Sequence, residues 1–277
     1  MNRSELGAAL RALRDASGKE AKVVARGAVM SQSKFSKIET GKLSPSADDV
    51  ERILTAIGVS DQVKAEYMDA ARAVATEAKA WRLIQRAGLH KAQRKLKAVD
   101  ADMRTLRLFQ PALMPGLLQT PEYMRAVLSR HKDLTEATVR ETVSARIERQ
   151  EVLYDDSKTL RFVITEPVLS WLIVPPLVMA GQLDRLVSVS RIPHVDLRVV
   201  PLAGPKHDIP NHAFAIRDDR AVTVETVHAE VIVTDPRDVA LYVAKFDGFA
   251  AHALEGEDMR ALITRTRDEL LRQRETG

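Results

Sequence analysis

At 277 residues the chain is long enough for two domains, each with its own core. It has no cysteine, which excludes disulfides and thiolate metal sites, and its low aromatic content of 4% leaves Ala, Val, Leu and Ile to build the cores. The net charge of +4 is uneven: residues 1–99 hold 19 Lys and Arg against 11 Asp and Glu, the remainder 23 against 27. A basic N-terminal part on a mildly acidic body is the balance of a nucleic-acid reader with an attached partner domain.

The opening Met-Asn-Arg-Ser-Glu-Leu lacks the pattern of a signal peptide, and the apolar run from Leu169 to Ala180 is broken by Pro175 and Pro176. A cytoplasmic protein without membrane contact is expected. Ser4 is placed to cap a first helix with Leu6, Leu10 and Leu13 in helical period, ended by Gly18. A second helix is expected over Lys19–Gly27, then a short turn at Val29 and Met30. Ser31 to Gly41 reads as a third helix: Ser31 as N-cap, Gly41 as the left-handed residue after its end, Phe35 and Ile38 on the buried face. Its other face carries Gln32, Ser33, Lys34, Ser36 and Lys37, polar and free of negative charge. Such a face suits the major groove, where Gln pairs with adenine, Lys with guanine or phosphate, and Ser with either. A plain surface helix would look similar taken alone. Pro45 and Ser46 start a fourth helix with Val50, Ile53, Leu54 and Ile57 in period. Four short amphipathic helices must pack on one another, giving an all-α domain over residues 1–60.

This segment resembles the XRE (phage-repressor-like) helix-turn-helix family, whose recognition helix opens Ser-Gln and closes Ile-Glu-x-Gly. The resemblance implies a DNA-binding set of Ser31, Gln32, Ser33, Lys34, Lys37 and Lys42, and an ion pair between Arg14 and Glu39 linking the first and third helices. Ala21 stands where many relatives carry a backbone-touching Gln, and Val29 where many carry the turn Gly. A β-branched residue is unfavourable at positive φ, so a turn of different shape is expected.

Residues 61–99 are expected to form a basic helical connector. After a Ser60 cap, Val63, Tyr67, Ala70, Ala71 and Val74 continue a stripe. Lys79, Arg82, Arg86, Lys91, Arg94, Lys95 and Lys97 follow with no acid among them, Trp81 and Leu83 are interspersed, and Gly88 is a candidate joint. These bases either contact phosphates or coat a solvated interdomain helix.

Residues 100–277 read as an α+β domain with a mostly antiparallel sheet. Phe109 to Gly116 reads as a helix end followed by turns. Thr120 with Pro121 opens a helix, and another spans Thr135–Leu153. Leu160 to Thr165 alternates as a strand. Leu177–Val189 is helical, four further strands fall near residues 197–200, 214–216, 222–226 and 231–233, with a tight turn at Asp218-Asp219, and two helices close the chain. Leu113 to Tyr123, Arg146 to Gln150, Glu166 and the Phe214 strand resemble the uncharacterised C-terminal domain of actinobacterial XRE regulators, and the whole resembles the WhiJ-type developmental regulators. That resemblance implies a homodimeric transcriptional regulator, usually a repressor, of double-stranded DNA, modulated by a small acidic partner protein. Gln119, Tyr123, Arg146, Arg149, Gln150 and Glu166 are the candidate effector cleft, with packing and solvated faces as the plainer explanation.

No nucleophile elbow, phosphate loop or zinc-protease motif is present, so a regulator rather than an enzyme is expected, with no cofactor or metal. The His207, Asp208, Asn211, His212 loop has residue types that bind metals, but its two prolines explain it equally as an ordered turn. A protein-interaction module with vestigial DNA binding is the main alternative, and a catalytic second domain tethered to DNA a more distant one.

Overall fold

The computed structural model describes residues 3–80, 88–131, 133–204, 208–226 and 229–275. The chain divides into two compact units, Met1–Ala78 with Val231–Val239 and Lys79–Glu230 with Ala240–Gly277.

Unit 1 is built on α1 (Arg3–Ala16), α2 (Ala21–Gly27), α3 (Gln32–Glu39), α4 (Ala47–Ile57) and α5 (Asp61–Ala75). Their apolar stripes converge: Leu6, Leu10, Val24, Phe35, Ile38, Val50, Ile53 and Leu54 are fully buried together. Ala71, Tyr67 and Met68 of α5 join that core. The expected connector is therefore no separate body: α5 packs on unit 1, while α6 (Leu89–Asp102) lies in unit 2. A short strand, β1 (Thr76–Ala80), lies between the two helices of the expected helical connector. Gly88 precedes α6 at φ 95, a conformation open to glycine. Trp81, Arg82, Leu83 and Arg86 lie outside the described residues.

Unit 2 carries β2 (Thr105–Gln110), β3 (Thr159–Thr165), β4 (Val195–Val200), β5 (Phe214–Arg217) and β6 (Ala221–Glu225). Strands β2, β3 and β4 pair in parallel, while β5 is antiparallel to both β2 and β6. The sheet is mixed, a correction to the antiparallel expectation. Parallel neighbours need long crossovers. These are supplied by α7 (Pro121–Leu128) and α8 (Glu136–Arg149) between β2 and β3, then by α9 (Pro167–Ser170) and α10 (Pro176–Val189) between β3 and β4. Residues Thr105–Gln110 form a strand where a helix end was expected, because Leu106, Leu108 and Phe109 pair with both β3 and β5. Between the paired Arg217 and Ala221 the chain turns through Asp218 and Asp219, both left-handed at φ 52 and 49, with the Arg220 N–H bonded to the Arg217 carbonyl. The Thr226 N–H bonds to the carbonyl of Ala229, the first residue of β7 (Ala229–Val233). The two closing helices are α11 (Pro236–Ala251) and α12 (Gly256–Glu275). The core of unit 2 lies between sheet and helices, with Leu106, Leu118, Leu160, Phe162, Met179, Leu183 and Ile263 fully inside. Among the described residues no helix is long and apolar enough to cross a membrane.

Candidate nucleic-acid interface and effector cavity

The third helix forms as its caps dictate. Ser31 accepts a hydrogen bond from the Lys34 N–H at 3.1 Å, so its hydroxyl is occupied as a cap. At the other end Gly41 sits at φ 65 and the Lys42 N–H bonds back to the Lys37 carbonyl at 2.8 Å, a Schellman closure. A Cβ on Gly41 would meet the Ser4 Cα at 2.9 Å, so glycine is required by backbone approach as well as by φ. Phe35 and Ile38 are fully buried. Gln32, Ser33, Ser36, Lys37 and Lys42 are exposed.

Lys34 differs. Its ammonium lies 2.7 Å from the buried Asp49 carboxylate. Asp49 also closes a capping box with Ser46 and takes a hydrogen bond from Arg52 at 3.0 Å. Burial pushes the Asp49 carboxyl up, but the Lys34 ammonium and the Ser46 N–H outweigh it and hold the group below the usual carboxylate range. Lys34 thus fastens α3 to α4, and its charge toward DNA is partly compensated. Arg14 Nε meets Glu39 Oε1 at 2.7 Å and Nη2 meets Oε2 at 3.4 Å, a bidentate link between α1 and α3.

Val29 takes the left-handed conformation at φ 54, with the Met30 N–H bonded to the Ala25 carbonyl. The turn before α3 keeps the form a glycine would give it, contrary to the expected change of shape, and valine bears the strain. Its side chain is 78% exposed and gains little packing in return. A Val29→Gly variant is therefore expected to stabilise unit 1 by about 0.5–1 kcal/mol, the left-handed penalty relieved less the added chain entropy. A higher urea midpoint checks this; an unchanged or lower one contradicts it.

In unit 2 the segment from Met114 to Thr120 is clamped by three glutamines. Gln119 Nε2 donates to the Met114 carbonyl at 2.8 Å, and Gln150 Nε2 donates to the Gln119 carbonyl at 2.7 Å. Gln182, fully buried, accepts from the Thr120 N–H at 2.7 Å and donates to the Leu118 carbonyl at 2.8 Å. Tyr123 is buried beside this segment, and burial pushes its phenol up. The clamp props one wall of a cavity of about 520 Å³.

Of the expected cleft residues, Gln119, Arg146 and Arg149 line this cavity. Tyr123 and Gln150 are buried but do not line it, because they pin the segment. Glu166 is elsewhere: its backbone N–H bonds to the Val200 carbonyl and its carboxylate accepts from the Leu202 N–H, tying β3 to β4. Asp100, Arg217, Glu225 and Glu230 were not among the expected cleft residues, yet Arg217, Glu225 and Glu230 line the cavity and Asp100 backs it. Asp100, 1% exposed, takes Arg149 Nε at 2.6 Å and Arg217 Nε at 3.0 Å. Its place as the acid closing a long basic run was the available signal. Desolvation lowers the Arg146 guanidinium from its ordinary value, Glu225 opposing and Arg149 adding to it. Glu225 is exposed at its surface, yet desolvation by the protein around it raises its carboxyl above the ordinary range. Arg146 opposes that rise and Glu230 reinforces it.

Residues 93–265 match a domain of unknown function, DUF5753. The chain belongs to this family. Residues 5–67 match a helix-turn-helix domain, and with the exposed polar face of α3 this supports a DNA-binding role. No curated protein matches the chain. Solved structures with some likeness include TrmBL2, an archaeal chromatin protein with a novel mode of DNA binding. It is 13% identical at a TM-score of 0.33, over 74% of this chain and 66% of that one. Two others are a phospholipase D family member, Nuc from Salmonella typhimurium, and NucT from Helicobacter pylori. They are 10% and 11% identical, each at a TM-score of 0.37 over 65% of this chain and 98% of theirs. Scores this low carry no weight for fold or activity.

The His207 position lies outside the described residues. Asp208 is paired with Lys245 at 2.6 Å, which lowers its carboxyl, and the His212 ring packs beside Phe214 and Tyr242. Among the described residues no three His, Asp or Glu converge on a metal position.

Proposed function

We propose that the chain is a sequence-specific transcriptional regulator rather than an enzyme, acting as a repressor and binding DNA as a homodimer through α3 of each copy. The observation that carries this reading is the α3 face: Gln32, Ser33 and Lys37 stand exposed on a helix fixed from behind by the Arg14–Glu39 and Lys34–Asp49 pairs. Helix-turn-helix dimers place two such helices about one DNA turn apart, roughly 34 Å. Lys42, with Lys91, Arg94 and Lys95 exposed on α6, supplies charge for phosphates. Lys97 is less available, since it meets Glu151 at 2.8 Å. Unit 2 senses a small ligand or a small acidic partner protein, which alters DNA binding only by favouring one of two states.

The test is selection from a random-sequence duplex pool, followed by titration of the winning duplex beside a Gln32→Ala/Lys37→Ala protein. At about 1–3 kcal/mol per base-reading contact, the variant should bind the selected duplex roughly 100-fold more weakly and lose its preference over random DNA. Wild-type affinity should fall by about 10³-fold or more between 50 and 200 mM salt if six or more phosphates are engaged. Failure of the wild type to select any duplex would leave the chain as a protein-interaction module.

A further inference from the structure

The cavity of unit 2 sorts its charges unequally. Arg149 and Arg217 direct their Nε donors to the buried Asp100, and Arg149 also reaches Gln93 while Arg217 reaches Thr223. The single Asp100 carboxylate is shared between these two guanidinium groups and offsets one of their two charges. Arg146 has no such contact. Its hydrogen bond goes to the uncharged Gln119 Oε1 at 3.2 Å, and among the described residues it meets no carboxylate within 4.0 Å. In the same cavity Glu225 and Glu230 meet no cation within 4.0 Å among the described residues, and their like charges repel. The rest of the lining is largely apolar, with Leu96, Leu113 and Leu134 in it.

Arg146, with no carboxylate in contact among the described residues, and Glu225 and Glu230, with no cation in contact, share one chamber, where Arg146 and Glu225 attract each other only across the space between them. Charges set among protein atoms without partners are unfavourable, and a ligand that brings both complements relieves both ends. A simple anion would answer Arg146 and add to the charge of the glutamates. A simple amine would do the reverse. The volume of about 520 Å³ falls in the range of cavities that hold small organic ligands.

We propose that this cavity binds a small zwitterion with an apolar body, of the class of a hydrophobic dipeptide. Its carboxylate sits on Arg146, its ammonium by Glu225 and Glu230, and its side chains against Leu96, Leu113 and Leu134. The assignment rests on the reading of unit 2 as the sensing part of the chain and names what it senses.

The test is calorimetric titration of the full chain with L-leucyl-L-leucine, its N-acetyl form and its C-terminal amide. The dipeptide binds, and each blocked form binds at least tenfold more weakly. In a Glu225→Gln protein the dipeptide falls toward the level of the N-acetyl form, whose own binding stays unchanged. In an Arg146→Gln protein the dipeptide falls toward the level of the amide. Such matched losses separate charge recognition from general damage to the fold. Absence of binding by all three at millimolar concentration overturns the assignment, and so do blocked forms that bind as tightly as the parent. If the same preparation binds the dipeptide but selects no DNA, the cavity assignment stands and the regulator reading fails. If it selects DNA and binds none of the three, the cavity assignment alone fails.

Discussion

Replacing Asp100 by alanine is expected to destabilise unit 2 by about 3–5 kcal/mol, the range for removing one partner of a buried ion pair. Asp100 is 1% exposed and its two oxygens each hold one arginine, at 2.6 Å and 3.0 Å. Those arginines come from α8 and β5, so a carboxylate on α6 joins three elements that are distant in sequence. Its loss leaves two guanidinium groups, both largely screened from water, without their counter-charge. Urea unfolding monitored by far-UV circular dichroism should show the shift. Adding Arg149→Met and Arg217→Leu should recover most of it, because all three charges are then gone and their desolvation with them. A loss below about 1 kcal/mol for Asp100→Ala would mean that the arginines re-pair with Glu225 or Glu230, and that the triad is not what holds these elements together.

Unit 1 was legible from its sequence because its signals are local. The Ser31 cap, the Gly41 closure and the helix start at Ser46 each act within a few residues, and each is found where the sequence placed it. Unit 2 was less legible because its decisive pairings are not local. The strand Thr105–Gln110 has no alternation to announce it: Leu106 and Phe109 are buried, Arg107 and Leu108 half-buried. Missing it hid the crossover that makes β2 and β3 parallel. The helix at Leu177–Val189 between two strands already required a crossover there, which a parallel pairing satisfies.

The same distinction runs through the sites. Residue types on one helix face can be read from spacing, so the exposed set on α3 was accessible. Spacing cannot show that Lys34 reaches back to Asp49, because that pair depends on how α3 meets α4. The cavity shows this more strongly. Arg146 and Arg149 were visible as a pair on one helix, but their difference in partners comes from Asp100 and Gln119, which lie 49 and 27 residues away along the chain. Glu166 misled for a related reason. A carboxylate beside a proline at a strand end looks like an open ligand position until its oxygen is seen to accept from the Leu202 N–H.

Replacing Arg14 by alanine is expected to cost unit 1 about 3–5 kcal/mol and to weaken operator binding along with it. Arg14 and Glu39 side chains are only 12% and 8% exposed, and their bidentate contact spans α1 and α3. The two helices also touch closely at Gly7, where a Cβ would lie 2.4 Å from the Ile38 carbonyl oxygen. The pair therefore fixes the helix that presents Gln32 and Lys37. The two single variants should differ. With Glu39 removed, Arg14 keeps Asp15 at 2.7 Å, a partner open to water. With Arg14 removed, the Glu39 carboxylate loses its one ion-pair partner among the described residues. Arg14→Ala should thus be the more damaging change, by about 1 kcal/mol or more. An Arg14→Met/Glu39→Leu protein should regain much of the stability, and with it the operator affinity, since neither residue reaches toward DNA from its buried position. Equal losses for the two single variants, or a double variant no better than Arg14→Ala, would show that the contact is not a coupled pair and that α3 is held by its apolar face alone.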